Sequence, residues 1–332
     1  MPDVIRTHIN SKAFSRDRFV KAIRHMRTMP AAGFPNRYDK YIAWHATAGV
    51  NAVAHGGLTF IAWHRAFLWE FEGDLQAADV ALGKDGKVAL AFWDWNKDTS
   101  TDPADARGTM WKDDLLGPNG SAPHDEVMSG PFVRANWPPW LIAGMPVAPP
   151  LPPHDCLRRT LGGGILAGAA DVKYIVGLSK VDEPPYDRGA PNTSFRNVLE
   201  GFETRTGSLS ANHNGAHGWI GGNMDNTLTS PYEPAFWFNH ANVDRIWATW
   251  QVVHPGLAKQ WPTDAEIDAA YPPLGPRPQA VRKLDEPMIP WDGTAGTRIW
   301  TPRKVLNWQT MGPAGDHQYR YSSDAGGSFS FT

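Results

Sequence analysis

SANHNGAHGWIGG, residues 210–222, contains two histidines four residues apart, His213 and His217. On a helix, side chains at this spacing share one face with their Cβ atoms about 5–6 Å apart, which is a chelating distance. A third histidine, His240, follows in SPYEPAFWFNHANVDRIWATWQ, residues 230–251, at the head of a segment whose apolar residues recur at helical spacing. We call these three histidines triad B and interpret them as a metal site.

A second set of three histidines lies in the first half of the chain, and we call it triad A. His64 opens an apolar helical segment within GLTFIAWHRAFLWEFEGDLQ, residues 57–76. His55 lies nine residues earlier in a loop, and His45 ends the helical run NRYDKYIAWH. Two sites of three imidazoles in one chain point to a dinuclear copper centre.

The ligand type narrows the choice of metal. Imidazole suits zinc, copper, iron and nickel, whereas hard metals and most di-iron sites require carboxylates, and neither triad contains one. A zinc protease helix would read H-E-x-x-H with the glutamate as general base. Taken alone, a histidine pair at this spacing is more often a surface feature than a ligand pair. The joint pattern favours metal binding, because burying histidines without partners costs on the order of several kcal/mol each.

Further motifs carry a family resemblance. They are FWDW at 92–95, SGPF at 129–132, ANWP at 135–138, LRRTLGGG at 157–164, EPPYD at 183–187, SFRNVLEGF at 194–202 and LDEPMIPW at 284–291. With the two triads, these motifs resemble those of bacterial tyrosinases, which are type-3 copper proteins, and the likeness runs through nearly the whole chain.

The resemblance implies a fold, a cofactor and an activity. The fold is mainly α, with a four-helix-bundle core that holds the dinuclear copper site, long Pro/Gly-rich loops and a few short strands. His45, His55 and His64 would hold one copper ion, and His213, His217 and His240 the other. The activity is oxidation of o-diphenols to o-quinones with O2 as co-substrate, together with ortho-hydroxylation of monophenols.

Other activities stay open at this point. One is an o-aminophenol oxidase, and another is a catechol oxidase without monophenolase activity. A remote alternative is a haemocyanin-like oxygen binder. A zinc or di-iron hydrolase would need a carboxylate ligand that the motifs do not offer.

The resemblance also implies roles for four residues beside the metal ligands. Glu200 and Asn214 match the pair that orients a water able to deprotonate an incoming phenol. Phe236 matches an aromatic ring that guides the substrate by stacking, although a core position is about as consistent with the sequence. Gly218 falls where relatives carry bulkier residues, which indicates an open substrate entrance to the metal site. For Glu200, the alternative is an ordinary solvated carboxylate.

Asp244 is a candidate for orienting a metal ligand. It lies four residues after His240 on the same helical face, where a carboxylate could accept the second imidazole N–H. The alternative is an ion pair with Arg245. The single cysteine, Cys156, lies far from His55 in sequence, so we expect no thioether crosslink.

The chain reads as one domain over residues 1–332. Helical patterning covers 12–29, 36–47, 63–80, 194–204, 212–220 and 240–253. Residues 97–193 are rich in Pro, Gly and Asp and indicate loops, but a domain boundary there would split the two triads. Strand-like pieces follow at 298–308 and 317–323. We expect no C-terminal shielding domain and therefore an open site.

Composition excludes several classes of partner. A net charge of −2 and a pI near 6.6 provide no basic field for nucleic acid. No apolar run of 18 residues could span a membrane, and the polar N-terminus does not resemble a signal peptide. We expect a small phenolic, catecholic or o-aminophenolic substrate. We also expect a cytoplasmic protein, or one secreted only with a small copper-delivery helper protein.

Overall fold

The computed structural model describes residues 3–139, 156–189, 192–256, 260–271, 275–312 and 318–322. Helices dominate this part of the chain. They are α1 Arg16–Met26, α2 Arg37–Ala46, α3 Ala48–Ala54, α4 Thr59–Ala81, α5 Ala169–Gly177, α6 Phe195–Glu200, α7 Asn212–Ile220, α8 Ala235–Val253, α9 Asp264–Ala270 and α10 Pro302–Leu306. None of the described helices is both long enough and apolar enough to cross a lipid bilayer.

Local sequence explains several helix ends. The side chain of Asn36 accepts a hydrogen bond from the backbone N–H of Asp39, which caps the start of α2. Thr263 and Glu266 form a reciprocal capping box at the start of α9. Gly201 ends α6 in the left-handed region at φ +107°, a conformation that glycine adopts without steric cost.

Helices α4 and α8 form the centre of the core. Both are buried along most of their length, as expected for helices that are apolar all round. Phe71 of α4 stacks on Trp237 of α8, with ring centroids 3.4 Å apart. Helices α2 and α7 complete the bundle that carries the histidines. One cluster of buried apolar side chains extends from Val4 to Tyr321, which supports our proposal of a single domain over residues 1–332.

A small parallel sheet joins distant parts of the chain. Its strands are β1 Val4–His8, β2 Ala91–Phe92 and β3 Tyr319–Tyr321, and β1 lies between the other two. Thr7 pairs with Ala91, and Ile5 pairs with Arg320. The sheet therefore places residues from both ends of the sequence next to each other and next to α8.

The sheet and α8 meet in a buried polar cluster that we call the Asp244 network. It consists of Arg6, Arg65, Glu72, Asp244, Tyr319 and Tyr321. Oδ2 of Asp244 accepts hydrogen bonds from the two tyrosine hydroxyls at 2.7 and 2.6 Å. Burial alone would raise the pKa of Asp244, but the two arginines and the hydroxyl donors hold that pKa below its ordinary value.

The structure differs from the sequence prediction at two important helix starts. Helix α4 begins at Thr59 instead of residue 63, and α8 begins at Ala235 instead of residue 240. Both extensions consist mainly of buried aromatic and small residues. Because such segments are apolar on every side, they lack the polar face whose periodicity marks a helix in sequence.

Other differences lie in the loop regions. The stretch 97–193 contains α5, which the loop prediction did not include, and part of its proline-rich segment lies outside the described residues. Residues 298–308 contain the short helix α10 instead of a strand, because Pro302 occupies its first turn. The strand predicted within 317–323 is confirmed as β3. The sequence did not predict α3 or α9.

Candidate metal centre

Triad A is assembled from three consecutive helical segments. His45 lies in the last turn of α2, His55 follows the end of α3, and His64 lies in the second turn of α4. One ligand nitrogen from each lies within 4.8 Å of the others. His45 and His64 are buried, whereas His55 is partly exposed. The structure thus brings together the three histidines that the sequence analysis grouped as triad A.

Triad B joins α7 to α8. His213 and His217 lie on one face of α7, as their spacing predicts, and His240 reaches them from α8. Nε2 of His240 lies 3.2 Å from Nε2 of His213 and 3.3 Å from Nε2 of His217. Two imidazole nitrogens on one tetrahedral ion are roughly 3.3 Å apart when each bond is about 2.0 Å long. The spacing therefore suits a shared ion.

The two triads face each other. The rings of His64 and His240 are stacked, with centroids 4.3 Å apart and planes inclined by 16°. Because these residues belong to α4 and α8, the central helix pair of the core fixes the position of one triad relative to the other. The arrangement is that of one dinuclear site instead of two separate metal sites.

Backbone oxygens set the orientation of the imidazoles. Nδ1 of His64 lies 2.9 Å from the carbonyl oxygen of Phe60, and Nδ1 of His217 lies 2.8 Å from that of Met224. Carbonyl oxygens also face Nδ1 in the other three oriented rings: His45, His55 and His213. A carbonyl only accepts hydrogen bonds, so Nδ1 carries the proton and the Nε2 lone pair is free to bind a metal.

Burial keeps the six histidines neutral. It lowers the pKa of His55 and His217 to about 4 and that of the other four well below the ordinary value. Nε2 of His45 and Nε2 of His64 are buried and have no hydrogen-bond partner among the described residues. Such orphaned nitrogen atoms are costly unless they bind something. The donor set, which is imidazole only, fits copper.

Glu200 and Asn214 both contact Nδ1 of His213, the former through its backbone oxygen and the latter through its side chain. Oε1 of Glu200 accepts the backbone N–H of Gly56, next to His55, at 2.6 Å. Oδ1 of Asn214 lies 3.2 Å from Nδ1 of His213. A β-carbon at Gly201 would meet Cβ of Asn214 at 3.0 Å, so the chain after Glu200 passes directly against Asn214. The solvated-carboxylate alternative is wrong, because Glu200 is buried.

The structure changes the interpretation of Phe236 and fits that of Gly218. Phe236 has no exposed surface and packs against His240, with ring centroids 4.1 Å apart. In this arrangement Phe236 cannot stack directly on a substrate, so that prediction is wrong. The alternative, in which Phe236 is a residue of the core, is the one that the structure shows. Gly218 is partly exposed, and a β-carbon there would meet only Asp225 Oδ1, at 3.9 Å. That space suits an open entrance.

The expected contact between Asp244 and His240 is wrong. The carboxylate of Asp244 is engaged by the arginines and tyrosines of its network, and Nδ1 of His240 has no partner among the described residues. The alternative pair with Arg245 is also wrong, because that guanidinium contacts Asn242 and Asp94. Asp244 instead anchors the helix that carries His240.

A cavity of about 660 Å³ adjoins triad A, and we call it the entrance cavity. Its lining includes His55 together with residues of the loops at 187–189, 228 and 278–280. The sequence did not identify these residues as functional, because they come from separate loops without a local motif. The carbonyl partners of the histidines were missed for a similar reason, since any residue type can supply a backbone oxygen.

A comparison with solved structures places the fold. The chain is similar in structure to a mutant of the polyphenol oxidase from Thermothelomyces thermophila, with a TM-score of 0.63 and 23% sequence identity. The superposition covers 97% of this chain and 89% of that protein. That likeness concerns the fold. On this fold the two facing imidazole triads form a candidate dinuclear metal centre whose ligands suit copper.

Sequence comparisons identify the family. The family described as "Common central domain of tyrosinase" matches residues 35–253. The tyrosinase of Streptomyces antibioticus is 33% identical over 322 residues, which cover 94% of this chain and 96% of that protein. A grixazone synthase of Streptomyces griseus is 30% identical in sequence, and the alignment covers 83% of this chain and 94% of that protein. The chain belongs to the tyrosinase family.

Family membership establishes the general chemistry. The protein is a copper-dependent enzyme that oxidises phenolic compounds. The family implies a dinuclear copper centre, and the two triads fit such a centre. The oxygen-carrier and hydrolase alternatives are thereby set aside.

Proposed function

We propose that this enzyme uses O2 to oxidise o-diphenols to o-quinones and also hydroxylates monophenols at the ortho position. We assign triad A to one copper ion and triad B to the other. When bound, the copper pair supplies the redox chemistry with O2. The observation that carries the hydroxylase activity is the buried carboxylate of Glu200. Its Oε1 accepts the N–H of Gly56, next to His55, and its Oε2 accepts a hydrogen bond from Arg196 at 3.3 Å, while the backbone oxygen of Glu200 faces His213.

Glu200 has the properties of a general base. Burial raises the pKa of its carboxyl group to about 7, although Arg196 opposes the rise. A base with a pKa near the operating pH combines a useful charged fraction with a strong tendency to accept a proton. Asn214, beside Glu200, offers an amide that can hold a water between them. A monophenol must lose its proton before it is hydroxylated. The carboxylate of Glu200 would accept that proton through the water, which Asn214 would hold in place.

Replacement of Glu200 by glutamine is expected to remove monophenol hydroxylation selectively. Glutamine keeps the acceptor for the Gly56 N–H but cannot take a proton at neutral pH. We expect kcat for tyrosine or another monophenol to fall by about 100-fold or more, the usual contribution of a general base. Oxidation of a catechol, which already carries both hydroxyls, should change by only a few-fold. Oxygen uptake with each substrate measures both effects.

The matched control is Glu203→Gln, which removes a carboxylate three residues further along that is partly exposed. That variant should retain both activities, and copper content should equal that of the parent enzyme in both variants. If the Glu200→Gln enzyme still hydroxylates monophenols at the parental rate, Glu200 is not the base.

The second candidate activity is that of an o-aminophenol oxidase or a catechol oxidase without monophenolase activity. The relationship to a protein named grixazone synthase supports considering an activity other than that of a tyrosinase. The same kinetic comparison decides between them. Turnover of a catechol or an o-aminophenol without any turnover of monophenols by the copper-loaded parent enzyme would favour this second activity.

Enlargement of Gly218 is expected to exclude bulky substrates. Gly218→Leu should lower kcat/KM for a large catechol, such as a flavonoid with a catechol ring, by about tenfold, and kcat/KM for catechol itself by less than about twofold. A helical position with free space favours folding of this variant, because glycine costs roughly 0.5–1 kcal/mol relative to alanine in a helix. Gly218→Ala is the control. An equal effect of leucine on both substrates would show that Gly218 does not shape the entrance.

Copper delivery by a small helper protein, and export together with it, remain part of the proposal. Four of the six histidines are buried, namely His45, His64, His213 and His240, and this supports a need for assistance in loading copper. Incubation of copper-free enzyme with Cu(I) alone, followed by metal analysis, tests this point. Rapid uptake of two ions per chain would remove the need for a helper.

A further inference from the structure

Arg188 lines the entrance cavity together with His55 and has an exposed side chain. Its guanidinium forms no hydrogen bond or ion pair with any residue in the described part of the chain. The buried arginines of the core behave differently. Four of them form ion pairs with buried carboxylates: Arg6, Arg65, Arg159 and Arg196. Arg188 is thus a cation that the fold leaves available at the substrate side of the metal centre.

The loop that carries His55 also fixes the position of Arg188. The backbone N–H of Arg188 donates to the carbonyl oxygen of Gly56 at 2.9 Å. A β-carbon at Gly56, which has φ +75°, would meet Cδ of Arg188 at 3.1 Å, so the aliphatic part of Arg188 lies against this glycine. The guanidinium carbon lies 6.0 Å from the ring centroid of Phe202. These contacts hold the charge beside a candidate copper ligand.

The neighbouring carboxylate, that of Asp187, is directed to groups other than this guanidinium. Asp187 is the other charged residue of the described cavity lining. Its Oδ1 accepts the backbone N–H of Gly189 at 2.6 Å, and its Oδ2 accepts the hydroxyl of Tyr271 at 3.1 Å. No ion pair joins Asp187 to Arg188 among the described residues, so the N–H groups of the guanidinium remain free to bind an anionic ligand.

We propose that Arg188 binds the carboxylate of an acidic phenolic substrate, and that the enzyme prefers phenols and catechols with a carboxylate-bearing side chain over neutral ones of equal size. This inference rests on the proposed function, because the cavity leads to the same metal centre. The planar guanidinium matches a carboxylate through two parallel N–H···O bonds. The contact lies away from the reacting ring, so it strengthens binding in the ground state and transition state alike. It therefore lowers KM and leaves kcat unchanged.

The test compares an acid with its neutral derivative on the copper-loaded enzyme. The substrates are 3-(3,4-dihydroxyphenyl)propionate and its methyl ester, which differ in charge but share the catechol ring. We expect Arg188→Gln to raise KM for the acid by about tenfold, as one charge-assisted contact allows. KM for the ester and kcat for both should stay within about twofold. High salt should reduce the preference of the parent enzyme for the acid, because the contact is exposed.

Two further variants sharpen the result. Arg188→Lys keeps the charge without the planar fork and should recover part of the affinity for the acid. Arg107→Gln makes the same change of net charge at an exposed position whose guanidinium pairs with Asp105, and it should alter neither KM. If Arg107→Gln has the same effect as Arg188→Gln, the overall charge of the protein is responsible and the inference is wrong.

The remaining outcomes separate this inference from the proposed function. If Arg188→Gln changes KM for the acid and the ester equally, or changes neither, Arg188 does not bind the carboxylate, although the enzyme still oxidises catechols. If the copper-loaded parent enzyme oxidises neither compound, the proposed function itself fails.

Discussion

Replacement of His240 by alanine is expected to reduce the copper content from two ions per chain to one and to abolish oxidation of both catechols and monophenols. Nε2 of His240 lies within 3.3 Å of the corresponding atoms of His213 and His217, and two remaining imidazoles hold an ion poorly. Activity should fall by more than about 100-fold, because even changes to groups that only orient metal ligands cost about 10–100-fold. Metal analysis and oxygen uptake on the same sample measure both effects.

The control for this variant is His254→Ala at the end of the same helix. The ring of His254 contacts the carbonyl oxygen of Val176, and His254 follows His240 by 14 residues, roughly 21 Å along the helix. This variant should bind two copper ions and retain catechol oxidation. If the His240→Ala protein is correctly folded and still binds two ions with full activity, His240 is not a ligand and the assignment of triad B is wrong.

The second large effect concerns stability. Asp244→Ala is expected to lower the free energy of unfolding by about 3–5 kcal/mol, the usual cost of removing one partner from a buried ion pair. Both side-chain oxygens of Asp244 are engaged, and Arg65 would lose its carboxylate partner inside the core. The two tyrosine hydroxyls would lose their shared acceptor. Denaturant unfolding of the parent and variant proteins gives the difference directly.

The comparison for Asp244 is Asp17→Ala, which breaks an exposed i,i+4 pair with Lys21 on α1. Such pairs contribute about 0.3–0.5 kcal/mol, so this variant should be close to the parent protein. An Asp244→Ala protein that is destabilised no more than Asp17→Ala would show that the network does not hold the end strands to the bundle.

The grouping of the six histidines into two triads could be predicted because their pattern is largely local. The spacing of His213 and His217 fixes their shared helical face, and the surrounding motifs place each of the other histidines next to a helix. The helix starts at Thr59 and Ala235 could not be predicted in the same way, since uniformly apolar sequence carries no periodic signal. The role of Phe236 was open in sequence, and only its complete burial decides in favour of the core.

The partners of Asp244 could not be predicted from spacing. Arg6 precedes Asp244 by 238 residues, and Tyr321 follows it by 77. A helical wheel points Asp244 towards His240, but the three-dimensional arrangement offers it two buried cations and two hydroxyls instead. Charged contacts of this strength override local geometry. The unpaired guanidinium of Arg188 could not be predicted either. It depends on the three-dimensional positions of neighbouring loops, none of which supplies a hydrogen-bond or ion-pair partner for it among the described residues.

The position of Tyr321 in the Asp244 network has a consequence for biosynthesis. The ribosome adds this tyrosine 77 residues after Asp244, a delay of roughly 4–15 s at about 5–20 residues per second. Throughout that interval the nascent α8 has its arginine partners but lacks the hydroxyl donors that complete its anchor. The Asp244 network can therefore be completed only after β3 has emerged from the exit tunnel, which makes the anchoring of α8 a late step in folding of the nascent chain.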